Sequence, residues 1–294
     1  MIRMNRFLTT CIVLILPFLL IAQDSEVGLI LGTTGYTGDI TPSNNYFSTG
    51  KRHASLGVFL RKDLNRFTAV RGTFTYGKYS GDDANSKIEG IQNRNLSFQS
   101  NLLELSLVGE INPFGTNSTG EKIQPYLFGG IAVFHFNPET NYNGQLVELQ
   151  PLGTEGQGMD DFDKPYKLTQ ISIPLGVGVK YQITDRINLG VDFGVRKTFT
   201  DYLDDVSGTY VNYNDLFEGN GQLAAALGNR SGELNQEGNI PEILPTGSQR
   251  GNPLQDDWYF TAGVTFGYKF STRTRNYKGR NPTGREFGCP GKNL

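Results

Sequence analysis

From Ile171 to Ile183 an apolar side chain stands at every second position: Ile171, Ile173, Leu175, Val177, Val179, Tyr181 and Ile183. Ser172, Pro174, Gly176, Gly178, Lys180 and Gln182 fill the other parity. That is the period of a pleated strand. Ile187 to Val195, Trp258 to Phe270 and Leu103 to Ile111 repeat the scheme, and weaker versions run through 27–36, 53–62, 67–78 and 126–136. The pattern predicts eight strands, each long enough to cross a bilayer at a tilt. No 3.6-residue apolar period dominates, although 223–227 predicts a short helix in an otherwise featureless 212–245 segment. Pro174 lacks a ladder donor inside a strand expected to pair on both sides, which predicts a bulge there.

The polar parity separates a soluble sandwich from a membrane barrel. A sandwich shows Lys, Glu and Thr to water. Here the polar faces carry Gly and small residues with isolated charges of both signs, namely Glu104, Glu110, Lys180, Asp192, Arg196 and Lys269. Such a face suits a narrow closed lumen in which bulky groups find no room and opposite charges pair. The apolar faces carry aromatics near strand ends, Trp258 at one edge and Tyr181, Tyr268 and Phe270 at the other, as membrane girdles do. The fold expected is all-β: an eight-stranded antiparallel outer-membrane β-barrel with long extracellular loops. Segments 37–52, 79–95, 137–169 and 199–256 are the long connections, and 63–66 and 184–186 are tight turns. An even strand number then places both termini in the periplasm.

Composition refines this picture. The 294 residues include 37 Gly, 19 Phe and 14 Tyr, a set that fits short strands and bars disorder. Residues 1–22, with Arg3 and Arg6 before an apolar run that ends at Ala22, have the anatomy of a secretory signal peptide. The barrel is expected over 23–270, and one cysteine, Cys289, remains after cleavage. The net charge of −2 conceals a segregation. Segment 137–169 carries six acids against two bases and 199–256 nine against two. The 271–294 tail carries Arg273, Arg275, Lys278, Arg280, Arg285 and Lys292 against Glu286 alone, a candidate docking segment for a periplasmic partner.

Chemistry is sparse. The two histidines, His53 and His135, fall near the expected outer rim without a Ser/His/Asp arrangement. The acids at 201, 204 and 205, and those at 160, 161 and 163, could offer oxygen to Ca²⁺ but lack the spacing of an EF-hand loop. Gly153 to Gly158 has no Lys-Ser/Thr of a phosphate loop and predicts tight turns. No catalytic, cofactor or metal site is expected, and an eight-stranded lumen is filled by side chains.

The loops carry a resemblance. Tyr36 to Ile40, Ser80 to Ala84, Arg94 to Phe98, Leu149 to Gly158, Lys197 to Tyr210 and Gly247 to Pro253 resemble the PorG family, with Asp39, Asp82, Asp83, Glu155, Asp201, Asp204, Asp205 and Arg250 as its motif residues. PorG-type proteins are outer-membrane barrels of the type IX secretion system of Bacteroidota. The resemblance implies a non-enzymatic component that associates with the periplasmic PorK/PorN ring and links it to the outer membrane, without cofactor, nucleic acid or small-molecule substrate. An adhesion or envelope-protective barrel, and a lipid-modifying barrel enzyme using His53 or His135, are the alternatives.

Overall fold

The computed structural model describes residues 25–40, 51–115, 122–234 and 245–270. Residues 1–22, expected as a signal peptide, and the 271–294 segment, with Arg273, Arg275, Lys278, Arg280 and Arg285, lie outside the described residues. Nine strands follow one another: β1 (Ser25–Thr37), β2 (His53–Asp63), β3 (Thr68–Asp82), β4 (Ser97–Ile111), β5 (Ile123–Tyr142), β6 (Gln145–Glu148), β7 (Thr169–Gln182), β8 (Ile187–Thr198) and β9 (Trp258–Lys269). All eight expected strands are present. The additional β6 pairs only with the far end of β5, forming a flap above the ring.

The ring closes through β1 against β9 and β4 against β5, every pair antiparallel. Its register can be followed in both directions from Leu29. One route passes Val58, Phe74, Leu105 and Val133 to reach Ile171 in β7. The other passes Phe266 and Leu189 to reach Tyr181 in the same strand. The routes arrive ten residues apart (181 less 171), so the barrel has eight strands and a shear of ten. With a rise of ~3.3 Å and a strand spacing of ~4.8 Å, that shear tilts the strands by about 40°.

Every residue on those two routes points outward, with Leu29 49%, Leu105 63% and Ile171 61% exposed. The exterior is a continuous apolar belt, the surface that a barrel turns toward lipid. Tyr181, Tyr268 and Phe270 end the belt at the edge that carries both described chain ends and the tight turns. At the opposite edge, Lys197 sits 5.2 Å from the ring of Trp258. We call these the termini end and the loop end.

Pro174 behaves differently from expectation. The β5–β7 ladder is interrupted between Gly129↔Leu175 and Ala132↔Ser172, yet the register is the same on both sides. There is no bulge: the missing N–H faces β5, and β7 keeps Pro174 opposite Arg196 in β8. The absent donor opens the ladder without inserting a residue.

The lumen also departs from the expectation of small residues alone. Phe59, Tyr126, Phe128, Phe134 and Tyr259 are buried inside, so many aromatics serve the interior and not the girdles. They fit because glycine lies beneath them. A Cβ on Gly28 would stand 2.4 Å from the Phe59 ring, and one on Gly178 would stand 2.4 Å from the Tyr126 ring.

Candidate functional site

Three polar layers fill the molecule from the termini end to the loop end. The first is a chain of buried ion pairs. Asn188 donates to Glu26 (2.9 Å), and Arg61 bridges Glu26 (3.0 Å) and Glu110 (2.8 Å). Arg71 continues from Glu110 (2.9 Å) to Asp192 (2.5 Å), whose second oxygen accepts from the Tyr126 hydroxyl. The guanidinium of Arg61 lies 4.9 Å from the Phe59 ring and that of Arg71 5.0 Å from Phe128, which sandwiches both cations between aromatic faces. The second layer pairs Arg196 with Glu104 through Nε (2.9 Å) and Nη2 (3.1 Å). The Tyr259 hydroxyl adds a third bond to that carboxylate (2.7 Å).

Glu26, Glu104, Glu110 and Asp192 thus stand against Arg61, Arg71, Lys180 and Arg196, all eight buried. Between the layers remains a cavity of about 30 Å³ lined by Arg71, Thr73, Ser106, Asp192 and Arg196. That is room for water and not for passage. Glu104, Glu110, Lys180, Asp192 and Arg196 are where the alternation put them, whereas Lys269 lies at the termini end, 3.8 Å from Asp63. Glu26, Arg61 and Arg71 were missed because they sit in strands of weaker alternation.

The third layer is a cap, built from the long connections over an aromatic floor of Tyr36, Tyr79, Phe98, Phe134, Phe136 and Tyr259. Among the described residues three helices belong to it: α1 (Glu89–Arg94), α2 (Tyr213–Asn220) and α3 (Gln222–Gly228). The last confirms the helix expected near 223–227. The 153–158 turns have positive φ at Gly153, Gly156 and Gly158 (60°, 85° and 91°), the left-handed conformation that glycine tolerates.

Seven of the eight motif residues are buried or half-buried among each other in this cap. Arg250 donates to Glu155 (2.7 Å), to the Asp205 carbonyl (2.7 Å) and to the Gly228 carbonyl (3.1 Å). Glu155 also accepts from the Ser207 and Gly208 amides, both at 3.0 Å. Asp83 accepts twice from Arg94 (2.7 Å each) and once from the Leu96 amide (3.0 Å). Arg94 then reaches the carbonyls of Asp39 (2.8 Å) and Arg250 (2.5 Å), joining two loops. Asp39 accepts from the Asn252 amide (2.9 Å). Asp204 accepts from the amides of Ile40 (2.9 Å) and Val206 (3.0 Å) and from the Tyr36 hydroxyl. Asp205, at φ 67°, accepts from Thr154 (2.5 Å) and Tyr166 (2.7 Å). Asp201 lies beside Ser207. Asp82 alone stands apart, capping a short 3₁₀ turn through the Ala84 amide (3.0 Å).

Burial shapes the chemistry of these acids. It pushes Asp205 up to about 6 against the pull of Arg250, and Asp201 up to about 8. It raises Asp39, Asp204 and Asp257 as well, and for Asp204 and Asp257 the neighbouring carboxylates add to the rise. Arg94, Tyr36, Tyr166 and Asp257 complete the network without having been singled out. Arg94 and Tyr36 do lie inside the motif stretches, while Asp257 precedes β9 with nothing to mark it.

Other candidate chemistry is not brought together. His53 Nε2 meets the Ser80 hydroxyl at 2.8 Å, but the charges acting on it are those of Lys78 and Lys51, with no carboxylate to orient it. His135 bonds Thr169 (3.0 Å) on a different part of the rim. The acids at 160, 161 and 163 are exposed in turns. Among the described residues no three acidic, cysteine or histidine side chains converge as a metal ion would require.

A family model described as a domain of unknown function, DUF6089, matches residues 5–224. The chain belongs to the DUF6089 family. No curated protein matches its sequence. Among solved structures this DUF6089 barrel is similar to Neisserial surface protein A, at 9% identity over 84% of this chain and 97% of that one, with a TM-score of 0.40. It is similar also to Ail of Yersinia pestis, solved with the heparin analogue sucrose octasulfate (8% identity, 83% and 96% covered, TM-score 0.39). OprG of Pseudomonas aeruginosa gives 11% identity, 84% and 96% coverage, and a TM-score of 0.39. For this DUF6089 chain the fold stands on the closed register itself.

Proposed function

We propose that the protein is an outer-membrane barrel with its loop end at the cell surface and its termini end in the periplasm. In this reading it serves the type IX secretion system as a non-enzymatic component, associating with the PorK/PorN ring and linking it to the membrane. The observation that carries the reading is the use of the polar groups. The loops that resemble the PorG family bond to one another in a closed cap, and the lumen acids are matched by lumen bases. Among the described residues neither layer offers a passage or a cleft, and what they present is a lipid-facing belt and two ends. The basic 271–294 tail and the periplasmic turns are the surfaces proposed to meet the ring.

Crosslinking of intact outer membranes followed by purification of the barrel tests this. Recovery of the ring proteins, reduced on deletion of 271–294, is the expected result; normal secretion in a strain lacking the protein overturns it. The exposed apolar side chains of Leu146, Phe162 and Phe217 on the cap favour surface adhesion as the second reading. Under that reading deletion changes surface binding and leaves secretion intact.

A further inference from the structure

Two carboxyls of the cap are buried without a cation. Asp204 and Asp257 are both 0% exposed, and among the described residues neither forms an ion pair. The bases around them are already engaged. Arg94 holds Asp83 and the carbonyls of Asp39 and Arg250, Arg250 holds Glu155, and Lys197 holds Asp256. The other charged groups that face the two are themselves acids, Asp39 from the β1–β2 connection and Asp201 from the 199–210 loop. Tyr79 from β3 and Tyr166 from the connection before β7 bring only hydroxyls. The Tyr36 hydroxyl stands between the two carboxyls: it donates to Asp204 Oδ2 and lies 3.4 Å from Asp257 Oδ1. Backbone amides supply the rest, Ile40 and Val206 to Asp204 (2.9 and 3.0 Å) and Leu203 to Asp257 Oδ2 (2.8 Å). The enclosure is tight, since a Cβ on Gly38 would overlap both the Tyr36 hydroxyl and Asp257 Oδ1.

We propose that Asp204 and Asp257 share a proton across Tyr36, and that this proton latches the 199–210 loop onto the mouth of the barrel. The hydroxyl has one hydrogen for two acceptors. With that hydrogen on Asp204, the Tyr36 oxygen meets Asp257 Oδ1 favourably only when Asp257 brings a hydrogen to donate. Two buried carboxylates with no cation repel each other and lose their hydration, so the state that keeps a proton is lower in free energy. Aspartate pairs that cannot both ionise behave in this way. The latch joins three segments: Tyr36 ends β1, Asp204 belongs to the loop after β8, and Asp257 leads into β9 with its amide on the Thr200 carbonyl (3.0 Å). Tyr36 and the chain after Asp257 are held by the ring, through Tyr36↔Tyr259 and Thr37↔Trp258. The 199–210 loop is therefore the piece that yields when both carboxyls ionise, and its departure withdraws Leu203 and Val206 from the aromatic floor. Both groups are raised on folding, so the stabilisation is complete at low pH and is lost as pH rises through their folded values.

Infrared spectroscopy of the full chain in detergent tests the shared proton. Asp201 is itself pushed up to about 8, so the measurements use the Asp201→Asn background. The expected result at about pH 7 is the carbonyl band of a buried carboxylic acid, lost in Asp201→Asn/Asp257→Asn. Hydrogen exchange, corrected for its intrinsic pH dependence, reads the latch at the Leu203 and Val206 amides. Their protection is expected to fall at least about tenfold between about pH 7 and about pH 9 in Asp201→Asn. It is expected to stay level in the double variant, where the new amide oxygen accepts from Leu203 and its nitrogen donates to Tyr36. Val177 and Val191, in the β7–β8 ladder, are expected to keep their protection in both. Absence of the acid band in Asp201→Asn overturns the shared proton. A flat profile in Asp201→Asn, or an equal fall with and without Asp257, overturns the latch.

Discussion

Replacing Arg250 with Met isolates what holds the cap. The stem volume is kept and three donor contacts disappear, to Glu155, to the Asp205 carbonyl and to the Gly228 carbonyl. Arg250 is 3% exposed, so water does not take its place without opening the loops. Removing one partner of a buried pair costs about 3–5 kcal/mol. At 1.36 kcal/mol per decade, the opening equilibrium of the cap rises on the order of 10²- to 10⁴-fold. Hydrogen exchange reads this at the Ser207 and Gly208 amides, which bond to Glu155. Barrel amides in β7 and β8 are expected to keep their protection, since their ladder does not touch Arg250. The double variant Arg250→Met/Glu155→Gln leaves no unpaired charge and is expected to recover most of the loss. A change below tenfold at Ser207 and Gly208 refutes the view that this pair staples the loops.

Three further outcomes follow from the same geometry. Arg61→Met leaves Glu26 and Glu110 without their shared cation and is expected to cost about 3–5 kcal/mol in urea unfolding of the whole barrel, with Arg61→Met/Glu110→Gln partly restoring it. Asp205 is raised on folding from 3.8 to about 6, so its stabilisation is complete below pH 4 and is lost as pH rises through 6. Its share of the loosening of the cap is about 3 kcal/mol between those limits, measured by protease nicking in the 149–166 loop, and Asp205→Asn is expected to remove that share while Asp201 and the other raised acids keep theirs. Gly130→Ala drives a Cβ to 2.1 Å from the Leu107 carbonyl oxygen and is expected to lower the yield of heat-modifiable barrel, while Gly72→Ala, whose nearest atom is 4.0 Å away, leaves it unchanged.

The barrel was legible because lipid and lumen impose opposite demands on alternate residues, so the parity of Ile171 to Ile183 states both the strand and its faces. Strands that place large aromatics inside, such as β2 with Phe59 and β5 with Tyr126 and Phe128, blur that parity. Their interior role depends on Gly28, Gly176 and Gly178, the residues paired with them on the neighbouring strands, a contact between strands that no local window contains. The cap was legible only as motifs. Arg94 and Arg250 touch through a carbonyl over 156 residues of sequence, and periodicity carries no information about such a contact. Pro174 shows the limit of local rules: a missing donor predicts disruption, and the flanking register decides whether that means a bulge or a gap.

The seam between β1 and β9 has a consequence in time. Leu29 faces Phe266 across it, so the first strand made is completed by the last. Until β9 arrives, the growing sheet keeps β1 as an open edge able to join a neighbouring chain. Closure of this longest-range ladder is thus the step that ends exposure to misassembly, and topologies dominated by such distant pairings form slowly. A chain shortened before Trp258 would present two unpaired edges for as long as it survives, a state that the barrel abolishes on closing.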